Sequence, residues 1–409
     1  MARACWLLFF IGCSPMPMTP ATPSDDPADW SVDSTKTWKP VLGEPRWIVP
    51  GPLLPAATRP LFPANNNVDV AMHDGRLWFA FRTAPSHFAS PETRLHLISS
   101  ADDGRTFKHE HTVSLGADLR EPLLLSFKGA LRFHWFEGGT DMFSFEPKQA
   151  WRIVRQADGT FSEPERWGTP KEINWSIEAR GGAAWRTSYS GPHSMASQPA
   201  VIDVSFHRST DGVTWEPVSG DGVVYRGGVS EVGFEFDENG DLWAVTRNED
   251  GDATGFGSHV CFAKKDSLGT WSCSAKSDPN RYDSPKLFRH GTELFLLARR
   301  NPSGPFDLGK DELTFAQKQL NYLAAYSANP KRTALYRINR TTKQVEWVFD
   351  LPSSGDTAFP SVVRLDAHRF LIANYTSPVD WDVDRSWLTG QTLEAGTRLY
   401  LVELNFQAD

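Results

Sequence analysis

The stretch Ser100-Ala101-Asp102-Asp103-Gly104-Arg105-Thr106-Phe107 decides the fold class, because it belongs to a motif that recurs along the chain. Its pattern is Ser-x-Asp-x-Gly-x-Thr-aromatic, in which short polar side chains bond the N–H groups of a tight turn and Gly takes a positive φ. A second copy covers residues 208–215, and degenerate copies cover 155–161 and 266–271. The final aromatic residues follow one another at steps of 54, 54 and 56 residues: Phe107, Phe161, Trp215 and Trp271. The motif therefore marks one turn of a long repeat.

A hairpin of two apolar strands and a polar turn is the second repeated unit. Its six copies cover residues 68–82, 122–136, 175–189, 232–247, 284–299 and 357–375. Six repeats of a four-strand unit predict an all-β fold, a six-bladed β-propeller with four-stranded antiparallel blades that forms one domain over residues 45–409. Arg46-Trp47-Ile48-Val49 is expected to close the last blade. Residues 302–326 form an insertion with a short helix over 310–323.

The first residues predict an export signal. Arg3 precedes a short apolar run, and the signal, residues 1–13, ends in Phe10-Ile11-Gly12-Cys13, which resembles a bacterial lipobox. On this interpretation Cys13 is lipidated and the exported protein lies in the bacterial cell envelope. An ordinary secretory signal and a chance apolar start are the alternatives. Residues 14–44 are rich in Pro, Thr, Ser and Asp, so they are expected to form a flexible tether.

The composition argues against several classes of protein. The chain has 409 residues, a net charge of −8 and no block of basic residues, so nucleic acid is not an expected partner. The sequence shows no metal-ligand spacing of His, no Gly-x-Ser-x-Gly elbow and no phosphate-binding Gly loop. We expect a monomer without metal or cofactor. Cys261 and Cys273 flank a turn, and they either form a disulfide in an oxidising compartment or remain free thiols.

These repeats resemble those of the sialidase (neuraminidase) superfamily, whose BNR repeats carry the same turn motif, the Asp-box. The resemblance covers residues 45–406 and is closest to a poorly characterised group of bacterial exported sialidase-like proteins. The shared motifs are Asn65 to Asp69, Phe81-Arg82 to His87, Asp118-Leu119-Arg120-Glu121-Pro122, Asp356-Thr357-Ala358-Phe359-Pro360 and Asn374-Tyr375-Thr376-Ser377. The resemblance implies the propeller fold, and it is a weaker guide to function because one fold hosts many functions.

The resemblance also implies catalytic roles. Sialidases hold a substrate carboxylate with three Arg residues and use a Tyr nucleophile activated by Glu, with an Asp as acid/base. Glu231 and Arg247 match the Glu and one Arg, and Arg332 lies where a second Arg is expected. Phe359 occupies the position of the nucleophile, and His87 lies in the loop of the acid/base Asp. A standard sialidase mechanism is therefore not expected.

Polar residues recur at the ends of the strands that should line the hub, the central channel of the propeller. We expect them to converge on one mouth of the hub. The candidate catalytic residues are Glu231 with Asp69 or Glu121, since pairs of carboxyl groups hydrolyse glycosides. The candidate substrate-binding residues are Arg82, His87, Arg120, Arg247, Arg299, Arg332, Asp356 and Tyr375. Arg side chains suit a carboxylate or sulfate on a sugar. Alternatively, these charges only neutralise one another across the hub.

Two functional hypotheses follow. The first is an exported sialidase-like propeller that acts on carbohydrate at the cell envelope, as a glycoside hydrolase of non-standard sialidase type. The second is a non-catalytic propeller lipoprotein that binds glycan or a protein partner. The Phe at the nucleophile position supports the second hypothesis, and the dense charge around the hub supports the first.

Overall fold

Each sequence repeat folds into one antiparallel sheet, and six such sheets surround a central hub. The structure is a computed structural model that describes residues 31–141, 146–192, 201–379 and 383–409. The innermost strands of the six sheets contact one another in sequence, and the sixth contacts the first, so the ring is closed. The fold is a six-bladed β-propeller of the all-β class, which confirms the sequence prediction.

The strands follow the repeat closely. Two strands precede the first blade, β1 (Trp38–Leu42) and β2 (Arg46–Val49). Blade one contains β3 (Ala64–His73), β4 (Arg76–Ala84), β5 (Arg94–Ser100) and β6 (Lys108–Val113), and blade two contains β7 (Asp118–Phe127), β8 (Ala130–Gly138), β9 (Gln149–Val154) and β10 (Glu165–Trp167). Blade three contains β11 (Ile173–Arg180), β12 (Ala183–Ser190), β13 (Ile202–Ser209), β14 (Glu216–Pro217) and β15 (Val223–Gly227).

The second half repeats this order. Blade four contains β16 (Val229–Phe236), β17 (Leu242–Asn248), β18 (Val260–Ala263) and β19 (Ser272–Cys273). Blade five contains β20 (Asp283–His290), β21 (Glu293–Arg300), β22 (Arg332–Asn339) and β23 (Gln344–Asp350). Blade six contains β24 (Thr357–Arg364), β25 (Arg369–Thr376) and β26 (Arg398–Ala408), with β1 and β2 added from the start of the chain.

The two ends of the chain meet in blade six. Strand β2 pairs with β26, as the sequence predicts, with Arg46 opposite Leu401. Strand β1 also pairs with β26, with Trp38 opposite Ala408. Since β1 lies within the stretch expected to be a tether, the propeller begins earlier than residue 45. The predicted signal and Cys13 lie outside the described residues.

The Asp-box turns are held by the bonds that the motif predicts. Ser100 Oγ accepts a hydrogen bond from the Gly104 N–H at 2.8 Å, and Asp102 Oδ1 accepts one from the Thr106 N–H at 2.8 Å. Ser209 and Asp211 repeat this arrangement in blade three. The hydrogen bonds that Asp102 accepts hold its pKa below its ordinary value. The motif therefore builds turns at the rim and has no part in the hub.

The hydrophobic core lies between neighbouring blades. Trp185 of blade three stacks on Phe206 with ring centroids 5.5 Å apart, and Phe206 contacts Phe234 of blade four at 5.3 Å. All three side chains are buried. Burying a large apolar side chain stabilises a fold by roughly 1.5–3 kcal/mol, so these contacts fix the blades against each other.

The insertion in blade five packs beside the hub. Its helix α1 (Phe315–Ala328) starts at a capping box of Thr314 and Gln317, so it begins and ends five residues later than the predicted helix over 310–323. A short helix, α2 (Trp387–Thr392), lies beside it, with Tyr326 and Trp387 rings 5.1 Å apart. Among the described residues, no helix combines the length and apolar character that crossing a membrane requires.

The two cysteines of blade four are bonded. Cys261 of β18 and Cys273 of β19 are directly opposite in the strand pairing and form a disulfide. The structure thus selects the first of the two states that the sequence leaves open.

Candidate functional site

A bulge interrupts each innermost strand at an equivalent position. Four residues at these bulges have left-handed backbone conformations, namely Asn67 (φ 45°), Glu121 (φ 46°), Ser284 (φ 52°) and Phe359 (φ 49°). Asn tolerates this conformation, whereas a residue such as Glu or Phe pays roughly 1–3 kcal/mol for it. In blade four the pairing breaks between Val229 and Val232, around Glu231. The bulges turn these side chains towards the hub.

Three of these residues, Glu121, Glu231 and Phe359, line a cavity of about 410 Å³ at one mouth of the hub, which we call the hub cavity. A cavity of this size is within the range of small-molecule sites. Six of the residues predicted from the sequence line it: His87, Arg120, Glu121, Glu231, Arg247 and Arg299. The structure therefore brings together two of the three candidate catalytic carboxyl groups and three of the five candidate guanidinium groups.

Glu121 and Glu231 are the central carboxyl groups of this cavity. The side-chain amide of Asn67 donates a hydrogen bond to Glu121 Oε2. Burial raises the pKa of Glu121 to about 7, the Arg120 guanidinium opposes the shift, and the charge of Glu231 adds to it. Its carboxyl group is therefore partly protonated at neutral pH.

Glu231 lies in a different environment. Its side chain is 3% exposed, Arg247 Nη1 donates to its Oε1, and the Ser284 N–H donates to its Oε2 at 2.8 Å. Burial raises its pKa, and the Arg247 guanidinium opposes that shift. Two donors thus stabilise the ionised form of Glu231, whereas Glu121 has only an amide donor.

The three guanidinium groups of the cavity already face carboxylates. Arg120 donates from Nε to Asp118, and from Nη2 to the His87 carbonyl at 3.0 Å. Arg247 contacts Glu249 at 2.9 Å and Asp283 at 3.1 Å, besides Glu231. Arg299 lies 3.7 Å from Asp283, and it donates to the Thr357 carbonyl at 3.2 Å. A ligand carboxylate would have to compete with these partners.

His87 is oriented by a buried carboxylate. Its Nδ1 lies 2.8 Å from Asp356 Oδ2, and Asp356 Oδ1 accepts a hydrogen bond from the Tyr375 hydroxyl at 3.0 Å. Asp356 and Tyr375 are almost fully buried behind His87, so they do not line the cavity. His87 also contacts Asn66 through Nδ1, so both of these contacts use the same ring nitrogen.

Three predicted site residues lie away from the cavity. Asp69 accepts hydrogen bonds from the Leu124 N–H at 2.7 Å and from the Ser361 hydroxyl, and it lines a different cavity at the opposite end of the innermost strands. Arg82 is fully buried and bonds Asp118 at 2.8 Å. Arg332 lies on β22 and pairs with Asp384 at 2.6 Å. Asp69 therefore does not line the hub cavity with Glu121 and Glu231, although it shares a third, smaller cavity of about 40 Å³ with Glu121.

Sequence reasoning missed several lining residues, which are Phe88, Asp118, Phe136, Glu146, Tyr189, Glu249, Asp250 and Trp387. A signal existed for Glu249, because it lies two residues after Arg247 and alternation puts such residues on one side of a strand. Trp387 belongs to α2, and no repeat in the sequence indicates that this helix reaches the hub. Within the described parts of the chain, no group of three or more His, Cys, Asp or Glu side chains is arranged to hold a metal ion.

Comparisons with known proteins agree with the fold. No model of a protein family matches the sequence, and a search of curated proteins gives no match. Among solved structures, a protein of unknown function from Dyadobacter fermentans is similar at a TM-score of 0.56 and 15% identity, covering 90% of this chain and 99% of that one. Trypanosoma rangeli sialidase is similar at a TM-score of 0.55 and 12% identity, covering 84% of this chain and 55% of that one.

A Hadza microbial sialidase is similar at a TM-score of 0.53 and 13% identity, covering 83% of this chain and 65% of that one. The chain thus spans about 55–65% of the length of these two sialidases. At such identities the likeness shows the fold alone. The class of protein that the fold defines is a six-bladed propeller of sialidase type.

Proposed function

We propose that this protein is a glycoside hydrolase of non-standard sialidase type that acts on carbohydrate in the hub cavity. The observation that carries the proposal is the pair of glutamates from blades two and four, which line one cavity with different hydrogen-bond partners. Paired carboxyl groups are the usual means of glycoside hydrolysis.

Each glutamate has a role that follows from its surroundings. Glu121 is partly protonated at neutral pH, so it can donate a proton to the oxygen of the leaving group. Glu231 accepts hydrogen bonds from Arg247 and the Ser284 N–H, and its ionised form can stabilise the positive charge that develops on the sugar ring. His87, fixed by Asp356, offers a ring nitrogen to a sugar hydroxyl.

The second hypothesis, a propeller that binds glycan or a protein without catalysis, rests on one specific observation. Phe359 lines the cavity where the sialidase resemblance places a nucleophilic Tyr, and its ring packs 5.2 Å from Trp175. A phenyl ring cannot form a covalent intermediate. The two hypotheses differ in whether Glu121 and Glu231 take part in turnover.

Turnover on a broad panel of aryl glycosides and glycans tests the proposal. We expect wild-type protein to release sugar, and Glu121→Gln and Glu231→Gln to lose at least about 100-fold of the rate, since acid/base catalysis contributes that much. Glu235→Gln is the matched control, because Glu235 is buried on the same strand as Glu231 and pairs with Arg180 at 2.9 Å, but lines the opposite cavity. If no substrate is turned over while glycan binding is retained, the hydrolase is rejected and the second hypothesis, a propeller that binds without catalysis, is kept.

We also propose that the protein is exported and anchored through a lipid on Cys13. The support is the lipobox-like sequence before this residue. Cys13→Ser is expected to move the protein from the membrane fraction to the soluble fraction of cells that express it. Equal membrane recovery of both proteins would contradict the anchor.

A further inference from the structure

The hub cavity has more carboxyl groups than guanidinium groups. Three Arg side chains line it, beside six acidic side chains: Asp118, Glu121, Glu146, Glu231, Glu249 and Asp250. Directly behind the wall, Arg82 pairs with Asp118, Arg281 with Asp283 and His87 with Asp356. Counting these buried groups with the lining ones gives eight carboxyl groups against five guanidinium groups. Lys331 adds one further cation nearby, and burial lowers its pKa to about 7. With Glu121 protonated and Lys331 charged, seven carboxyl groups still face six cations, so the cavity keeps a small acidic excess.

The internal segments outside the described residues, 142–145, 193–200 and 380–382, contain no Lys or Arg in the sequence, and the last of them contains two Asp residues.

Aromatic rings form much of the remaining wall. Five of them line the cavity, contributed by blades one, two, three and six and by α2: Phe88, Phe136, Tyr189, Phe359 and Trp387. The face of an aromatic ring attracts a cation, and this attraction is strongest where water is excluded. Carboxylates and aromatic faces in one cavity favour the same kind of ligand, an organic cation that also has apolar surface.

We propose that the hub cavity selects a glycoside whose sugar carries a free, protonated amino group. This inference rests on the proposed function, because it names the substrate class of the same site. The ammonium group pairs with the acidic wall, and the C–H face of the sugar ring packs on the aromatic side chains. An acidic sugar meets like charges, and its carboxylate finds each guanidinium of the cavity already paired. The predicted preference is thus opposite to that of a site for an anionic sugar.

Binding of sugar pairs to the full-length protein tests this proposal. Glucosamine and galactosamine are each compared with their N-acetyl forms, and with glucuronic acid and sialic acid, by calorimetry at pH 6 and low salt. We expect each amino sugar to bind about tenfold or more tightly than its N-acetyl form, with the acidic sugars weakest, and the preference to shrink at high salt. Absence of any preference for the free amine, including absence of binding, overturns the proposal.

Variants locate the preference in the cavity. Glu249→Gln and Glu146→Gln each remove one lining charge, and both are expected to weaken amino-sugar binding several-fold while leaving the N-acetyl form unchanged. Glu238→Gln is the control, since Glu238 pairs with Arg340 away from the cavity. Equal effects of the control and the two cavity variants would overturn the assignment. The comparison of sugars on wild-type protein does not depend on how well the variants fold.

Failure of this inference is distinguishable from failure of the proposed hydrolase. Glu121-dependent turnover of neutral or acidic glycosides, without a preference for amino sugars, supports the hydrolase and overturns the substrate class. Binding that prefers amino sugars without turnover of any amino-sugar glycoside supports the class and overturns the hydrolase.

Discussion

Replacing Glu121 by Gln should change how the stability of the protein depends on pH. In the folded protein burial raises the pKa of this carboxyl group from 4.5 to about 7. Between these two pH values the folded state holds a proton that the unfolded state has released. The free energy of unfolding therefore falls as pH rises from 4.5 to 7, and it is unaffected by Glu121 below that window.

The magnitude follows from the same two values. One pKa unit corresponds to about 1.4 kcal/mol, so a rise from 4.5 to about 7 corresponds to a loss of roughly 3 kcal/mol at pH 8 relative to pH 4. Because the side chain opens partly to the cavity, we take about 2 kcal/mol as the working figure. Gln resembles the protonated carboxyl group in shape and can still accept from Asn67, so Glu121→Gln should be more stable than wild type by about this amount at pH 8, with little difference at pH 4.

Chemical denaturation of both proteins at several pH values measures this difference. Subtracting the two curves removes the contributions of other groups whose pKa burial raises, such as Asp69 and Glu231. A difference that does not change between pH 4 and pH 8 would refute the reasoning, since it would mean that Glu121 titrates normally. A Glu121→Gln protein that is less stable at pH 8 would refute it as well.

Three further predictions concern the scaffold and the hub. Ser100→Ala removes the acceptor of the Gly104 N–H in a buried turn. Chemical denaturation should show a free energy of unfolding that is lower by about 1–2 kcal/mol, with turnover unchanged, and an unchanged midpoint would contradict the role of the Asp-box. Replacing Cys261 and Cys273 together by Ser opens a loop with a sequence separation of 12, and it should lower the free energy of unfolding by about 2–3 kcal/mol. Reductant should have the same effect on wild type, and equal denaturation midpoints would contradict the prediction. Phe359→Tyr should not create sialoside hydrolysis, because the guanidinium groups remain paired; release of sialic acid by this variant would show that one hydroxyl is all the site lacks.

Much of the propeller could be predicted because its turns have a local chemistry. The steps of 54 and 56 residues between Asp-box aromatics count the blades without any knowledge of long-range contacts. Strand β1 was missed for the opposite reason. Trp38–Leu42 contains a Pro and adjoins a polar segment, and its hydrogen bonds come from β26 at the other end of the chain. No local sequence pattern predicts pairing with a strand so distant in the chain.

The site was predicted less completely, and Asp69 shows why. The sequence places Asp69 and Glu121 alike near the start of an innermost strand, but the repeat of 54 residues aligns Glu121 with Asn67. Two residues along a strand correspond to about 7 Å, which is enough to move a side chain from one cavity of the hub to the other. The spacing therefore contained the correct alignment of Glu121 with Asn67. The bulge that turns Glu121 inward could not be predicted in this way, because it depends on pairing with the neighbouring strand.

The equivalent bulges explain how one scaffold admits different chemistry. Each blade presents a side chain at the same height of the hub, and the left-handed conformations of Glu121 and Phe359 persist because the surrounding strands fix them. A substitution at such a position changes what lies in the cavity while the sheet that carries it stays the same. The amide of Asn67 beside Glu121 and the phenyl ring of Phe359 therefore set the chemistry of the hub without changing the fold. It follows that similarity of the propeller to sialidases shows the fold, while these few positions decide what chemistry the hub cavity can support.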